Sequence, residues 1–236
     1  VTARVTLAEV PWSDPVARAL RHAQQVELSA RYGDGGTPEP PAEHVALTLV
    51  VAVDGAPVGC GSLRELGGDA EHAPGTGEVK RVYVAPEARG RGLARCLMHA
   101  LEHRAAGLGW TRLVLEAGLQ QPEALGLYLS LGYRPVARYG EWADVPDSRC
   151  LARGAGGVPD AVPGPFAVPA PDEAVPPLPP LPPLPPLPPL LRVDPREPGA
   201  LDRALASGYR PVLPFGAWQD DAWGLYLGRA PAGAGA

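Results

Sequence analysis

The sequence predicts a mixed α/β domain, with one sheet and helices on both faces, that runs into a proline-rich arm and a short appendage. Three observations carry this. Strand-like and helix-like runs follow one another as β, α, β, β over the first third of the chain. A β-type run from Glu78 to Val84 then passes through a basic, glycine-containing turn into a helical run from Leu93. After Arg153 the composition shifts to Gly, Pro and Ala, and the globular pattern stops.

Taken in order, Val1 to Leu7 alternates weakly and reads as a first strand. Asp14-Pro15 supplies an N-cap and a first-turn proline for a helix with Val16, Leu20, Ala23 and Leu28 on one side. Residues 33–44 are loop. Val45 to Val53 is a strongly apolar strand, Asp54-Gly55 is a hairpin signal, and Pro57 to Leu66 returns as the next strand. The loop of residues 67–77 leads to Glu78–Val84, whose alternation places Glu78, Lys80, Val82 and Val84 on one face and Val79, Arg81 and Tyr83 on the other. Pro86 ends that strand. Leu93, Leu97, Leu101 and Leu108 then recur at helical spacing until Gly107 and Gly109 interrupt them. Thr111 to Glu116 reads as a short buried strand and Pro122 to Leu131 as a helix closed by Gly132, with Tyr133–Val136 and Ser148–Ala152 as last strands.

A length of 236 residues suits one good core and a smaller appendage. The net charge of −5 lacks the broad basic surface that nucleic acid requires. Cys60, Cys96 and Cys150 are too few and too scattered for a disulfide framework or a cysteine zinc site, which points to a reducing compartment. No apolar run reaches the ~20 residues of a membrane span, and the first residues lack a signal-peptide core. A soluble, cytoplasmic protein without a membrane partner is expected.

The organisation read from these features is a domain over residues 1–153, a Pro/Gly-rich linker over 154–190, a further piece over 191–229 and a disordered tail over 230–236. Pro176 to Pro189 is a PPL repeat that cannot form a ladder or a helix, so polyproline II at about 3.1 Å per residue gives it a reach of roughly 43 Å. Its P-x-x-P spacing could dock an aromatic groove on a partner, but spacing alone is unspecific and a passive spacer is the simpler reading. Beyond it, Leu191 to Arg229 repeats Leu115 to Arg153 at an offset of 76, with about fifteen of roughly thirty-nine positions identical. Gly208-Tyr-Arg-Pro-Val, for example, matches Gly132-Tyr-Arg-Pro-Val. A small helix-hairpin unit that packs on a sheet edge, in cis or on another subunit of a homodimer, is expected there.

The chemistry concentrates at Arg89-Gly90-Arg91-Gly92-Leu93-Ala94. A helix N-terminus leaves about four N–H groups without partners and carries partial positive charge, and glycines there let an anion approach the main chain. Arg89, Arg91 and Arg95 add charge that suits phosphate. The Rossmann fingerprint fails, because Arg95 stands where its third small residue belongs. An ordinary strand-helix turn is the alternative.

Arg89-x-x-Gly92-x-Ala94, following Val82-Tyr83-Val84, resembles the Q/R-x-x-G-x-G/A motif of the GNAT superfamily of N-acetyltransferases, and the likeness runs over about residues 1–153. A second signature, Ala124-x-x-x-Tyr128-x-x-x-Gly132-Tyr133, also resembles that family's. The resemblance implies a mostly antiparallel central sheet and acetyl-CoA as co-substrate, with no metal. It implies that the amides from Arg89 to Ala94 bind the pyrophosphate, that Val84 pairs with pantetheine, and that the Val82 amide faces the thioester oxygen. Tyr128 would protonate the leaving thiolate. Glu78 stands where several members carry a general base, and Glu116 competes for that role. Gln121 departs from the asparagine that many members carry, so that contact is not carried over.

An ammonium with a pKa of about 10 must lose a proton before it attacks a thioester, which is why a base is sought. The implied reaction is direct acetyl transfer through a tetrahedral intermediate to a primary amine, on a small molecule or a peptide. A catalytically silent acyl-CoA-binding or interaction module, using the arm and tail, is the rival reading. The alternative for Tyr128 is simple packing beside Leu125 and Leu129, and for Glu78 or Glu116 a solvated ion-pair partnership. His99-Ala-Leu-Glu102-His103 formally matches a metalloprotease pattern, but a solvated helix face accounts for it.

Overall fold

The computed structural model describes residues 3–33, 40–66, 72–154, 190–193, 199–211 and 225–228. Strands β1 (Val5–Val10), β2 (Val45–Val53), β3 (Ala56–Glu65) and β4 (Thr76–Val84) form an antiparallel run, with helix α1 (Pro15–Tyr32) between the first two. Helix α2 (Leu93–Gly107) links β4 to β5 (Arg112–Gly118), which pairs with it in parallel. Helix α3 (Pro122–Ser130), β6 (Arg134–Val136) and β7 (Ser148–Gly154) follow. The sheet has seven strands in the order β1-β2-β3-β4-β5-β7-β6, so the mixed, mostly antiparallel fold read from the sequence is the one found. The described residues belong to two compact units, one from Val1–Leu115 with Ala152–Glu173, the other from Glu116–Leu151 with Ala174–Ala236.

In the first unit the local signals act as expected. Asp14 Oδ1 accepts from the N–H groups of Val16 and Ala17, both at 2.9 Å, which satisfies two of the orphan donors of α1. Asp54 and Gly55 both take positive φ, as a two-residue hairpin turn requires. The first strand begins four residues later than the sequence suggests and runs to Val10. The buried face of α1 also differs from the expected stripe: Ala17 and Arg21 are buried, while Val16 is exposed. Arg21 lies over the Trp12 ring at 3.5 Å and donates to the Trp12 carbonyl at 2.9 Å, so a charged residue occupies a core-facing position.

The two sheet faces of this unit carry separate clusters. Ala17, Val50, Cys60 and Tyr83 make one, joined by Leu20 and Ala23 of α1. Val51, Val53, Val84, Ala88 and Leu93 belong to the other. α2 also approaches the sheet closely, because a Cβ built on Gly61 would stand only 2.9 Å from Leu101 Cδ1. A similar approach puts Trp110 where a side chain on Gly77 would be.

In the second unit α3 stops at Leu131, and Gly132 follows with φ 90°. The chain beyond the arm forms β8 (Leu190–Val193), helix α4 (Ala200–Ala206), β9 (Arg210–Pro211) and β10 (Leu225–Gly228). These strands make a small sheet in the order β8-β10-β9, antiparallel throughout, where only a helix-hairpin was expected. The PPL run and residues 230–236 lie outside the described residues. No helix among the described residues is long and apolar enough to cross a membrane.

Candidate active site

Strand β4 does not keep its alternation. Cys60 pairs with Tyr83 and Ser62 with Lys80, so Arg81 and Val82 together oppose Gly61. Arg81 takes φ 59°, which marks a β-bulge. One extra residue reverses the facing of everything after it. Tyr83 therefore joins the α1 side with Cys60, and Val84 packs with Leu93 on the α2 side, which corrects the faces assigned from simple alternation. Two glutamines of α1 hold the bulge. Gln24 Nε2 donates to the Val82 carbonyl at 2.9 Å, and Arg81 Nη1 donates to Gln25 Oε1 at 2.8 Å.

The opposite edge of β4 is as informative. Its register with β5 covers only Thr76, Gly77 and Glu78, paired with Arg112, Leu113 and Val114. That register ends at Glu78, while β4 itself runs on to Val84. Such an edge is a template for an extended polar chain.

The strand leads through a 3₁₀ turn, Pro86–Ala88, to the glycine-containing loop. Gly90 and Gly92 both adopt φ 76°, which glycine takes without a Cβ penalty. Nothing lies within 4 Å of a Cβ built on either. Gly92 is the N-cap of α2 and no side chain caps that end. Leu93 is buried, Ala94 half-buried, and Arg91 half-buried beside them. The result is an open, uncapped helix N-terminus with two side-chain-free positions in front of it. These residues fit a diphosphate.

Arg89 has a different geometry from the phosphate ligand suggested by its charge. Its Nε donates to the Val84 carbonyl at 2.8 Å, and Nη1 and Nη2 donate to the two carboxylate oxygens of Glu27 at 3.0 and 2.6 Å. The guanidinium thus ties the strand end, the turn and α1 together. Hydrogen bonding from Arg89 holds the Glu27 carboxyl below its ordinary pKa, and Glu27 in turn raises that of Arg89. A depressed carboxyl pKa contributes stability that is present above the unfolded value of 4.5 and is lost as pH falls through the folded one. Glu27→Gln is expected to cost about 1 kcal/mol at pH 7, since solvent screens a partly exposed pair. The gap between variant and wild type in denaturant melts should begin to shrink as pH falls past 4.5 and close once pH is below the lowered folded value; a gap independent of pH would show the loss is not electrostatic.

Glu78 is fully buried. Its Oε2 accepts from Arg64 Nε at 2.8 Å and pairs with Arg64 Nη2, and Lys80 Nζ lies 3.4 Å from Oε1. Both oxygens of the carboxylate are thus committed to cations. Glu102, in the His99–His103 pattern, is likewise a structural ion partner. It accepts from Arg153 at 3.1 Å and lies 3.4 Å from His99 Nδ1, which ties α2 to the end of β7.

The second unit holds the other two candidates. Glu116 Oε1 accepts from Ser148 Oγ at 2.6 Å. Tyr128 is buried on α3 and meets the Tyr133 ring edge-on at 6.0 Å. Burial, and then the Glu116 charge, push the Tyr128 phenol well above its ordinary pKa of 10. The phenol is therefore held in its protonated, donor form. Among the described residues nothing takes a hydrogen bond from its hydroxyl.

Sequence reading missed Gln24, Gln25, Glu27, Arg64 and Ser148. The signal for the first three lies in α1, where polar residues at 24, 25 and 27 interrupt the apolar side begun by Leu20 and Ala23. Arg64 and Ser148 become partners of Glu78 and Glu116 only through strand pairing, which no local pattern encodes.

A family model described as the acetyltransferase (GNAT) family matches residues 12–133. An IAA acetyltransferase of Azospirillum brasilense is 34% identical over 98 residues, covering 42% of this chain and 61% of that protein. An N-acetyltransferase of Schizosaccharomyces pombe, itself uncharacterized, is 33% identical over 93 residues, covering 39% of this chain and 54% of that one. The chain thus spans under two thirds of the length of the curated relatives it matches. The crystal structure of a Klebsiella pneumoniae protein assigned as an acyl-CoA N-acyltransferase superimposes with a TM-score of 0.54 at 28% identity, covering 64% of this chain and 97% of that one. The matched residues include the bulged strand, the uncapped α2 N-terminus and Tyr128, and the chain belongs to the GNAT acetyltransferase family.

Proposed function

We propose that the protein transfers the acetyl group of acetyl-CoA to a primary amine by direct attack. The observation that carries this is the juxtaposition, within one unit, of the C-terminal part of β4, beyond its short register with β5, and the open α2 N-terminus that follows it. An extended polar arm that ends in a diphosphate matches both at once, and pantetheine pyrophosphate has that form. The backbone of Gly90, Arg91, Gly92, Leu93 and Ala94 would take the diphosphate, with Arg89 fixing the turn through Glu27. Val84 would pair with the pantetheine amide.

In the proposed reaction the neutral amine attacks the thioester carbon, and the Val82 N–H stabilises the oxyanion of the tetrahedral intermediate. The carbon–sulfur bond then breaks, and the Tyr128 hydroxyl gives its proton to the leaving sulfur. Glu78 is buried and ion-paired, so its proposed part is to accept the ammonium proton through an ordered water; Glu116 is the second base considered. A cytoplasmic location is proposed from Cys60, Cys96 and Cys150, all buried and free.

The test is a panel of small amines, amino acids and peptide N-termini assayed for CoA release with acetyl-CoA. Turnover of at least one acceptor, at a rate first order in its unprotonated fraction, is expected. Tight acetyl-CoA binding with no turnover across the panel would favour the silent binding module instead.

A further inference from the structure

The tail does more than extend the chain. α3 lies against β9: a Cβ built on Gly126 would stand 3.8 Å from Pro211 Cδ. In the same unit Arg134, on β6, donates from Nη2 to Asp202 Oδ1, on α4, at 2.9 Å. At the offset of 76, Gly126 corresponds to Asp202, Arg134 to Arg210 and Pro135 to Pro211. Each helix therefore meets the strand of the other piece at the same helical position. On the strand side the two contacts match to within one residue, Pro211 corresponding to Pro135 and Arg134 standing just before it, and such near-reciprocal contacts are what a two-fold axis relating two bodies produces.

We infer that the C-terminal segment folds as a second copy of the α3–β6 end of the domain and docks on the first copy in cis, across an internal pseudo-two-fold.

Internal bonds support the duplicate fold. Arg134 Nη1 donates to the carbonyls of Leu129 and Tyr133 at 3.2 and 3.0 Å, and Arg210 Nη1 donates to those of Leu205 and Tyr209 at 3.1 and 2.6 Å. The Tyr133 N–H reaches the Tyr128 carbonyl at 3.1 Å, and the Tyr209 N–H reaches that of Ala204 at 3.1 Å. Gly132 and Gly208 close the two helices with φ 90° and 85°. The strand order β8-β10-β9 repeats β5-β7-β6. Leu201 and Ala204 of α4 are buried, as are Leu125 and Tyr128 at the matching positions of α3.

Tethering favours cis over trans. Joining the two copies in one chain gives them an effective concentration in the mM range for short flexible linkers, and a longer, stiffer arm lowers it only gradually while it still spans the sites. A second chain at micromolar concentration competes poorly with that.

The test joins the two faces covalently in the full chain. Gly126→Cys with Pro211→Cys, oxidised mildly and run without reductant, should give a cross-linked species of one-chain mass, because Cys60, Cys96 and Cys150 are buried and do not compete. A species of doubled mass would replace cis docking by exchange between chains, and no cross-link at all would overturn the contact. A second variant addresses the symmetry. Gly126→Asp places a carboxylate where Asp202 stands in the other copy and should pair with Arg210 as Asp202 pairs with Arg134. Hydrogen exchange in α4 should slow about two- to fivefold, the range of one exposed ion pair. Unchanged exchange would overturn the two-fold relation.

Discussion

Tyr128→Phe is expected to lower CoA release on the order of 10²-fold while leaving acetyl-CoA affinity unchanged. Phe keeps the edge-on packing with Tyr133 and removes only the hydroxyl, so the fold and the α2 N-terminus are untouched. The loss is assigned to proton transfer because the phenol is held protonated by burial and by the Glu116 charge. An ordinary phenol at about 10 is already a weaker acid than a thiol at about 8.5, so the transfer is uphill by about 2 kcal/mol or more. In the proposed mechanism the hydroxyl would then work by proximity to the departing sulfur, with its proton replaced afterwards from water. No basic limb below pH 10 should arise from Tyr128 in the pH–rate profile. Stability follows the same sign: a raised folded pKa gives a contribution fully present below the unfolded value and lost as pH rises through the folded one. Wild type should therefore lose stability relative to Tyr128→Phe only above about pH 10. An undiminished rate in the variant would remove Tyr128 from the mechanism.

Gly92→Asp is expected to weaken acetyl-CoA binding on the order of 10²-fold with little change in melting temperature. Aspartate tolerates the left-handed conformation that Gly92 adopts at φ 76° better than most residues, and the space around that Cβ is open. The fold should survive. What changes is the field at the helix N-terminus: a fixed carboxylate there opposes each diphosphate charge by about 2 to 4 kcal/mol at an effective dielectric near 20. Solvent screening reduces the sum to about 3 kcal/mol, or roughly 10²-fold. Titration calorimetry with acetyl-CoA reads this directly. Unaltered affinity would mean that the diphosphate binds elsewhere.

Much of the fold was legible because its signals are local. The Asp14 cap, the Asp54-Gly55 hairpin and the leucine spacing of α2 each act within a few residues, and each appears where the sequence puts it. The β4 bulge was not legible, because it depends on which residue of β3 faces which residue of β4. That one insertion moved Tyr83 and Val84 to faces opposite those expected. Arg89 shows the same limit in the site. Its position in the motif was readable, whereas its engagement by Glu27 from a helix sixty-two residues earlier was not. The β8-β10-β9 sheet exceeded the expected helix-hairpin for a like reason: β8 finds its partner only across the length of the tail.

The proposed duplication also gives the chain an internal reference. The run Gly-Tyr-Arg-Pro-Val survives in both copies, at residues 132–136 and 208–212. Tyr128, Glu116 and Ser148, by contrast, stand opposite Ala204, Arg192 and Gly224. What turns a helix into a strand has been kept twice; what could handle a proton has been kept once. If the duplication holds, the pairing of Glu116 with Ser148, and the phenol beside that carboxylate, would be dispensable for building this piece of the fold. On that reading the tail would serve as a naturally occurring triple substitution within the same strand order. Transplanting Ala204, Arg192 and Gly224 back into the first copy would ask, in one variant, whether the whole cluster can be removed without unfolding the domain around it.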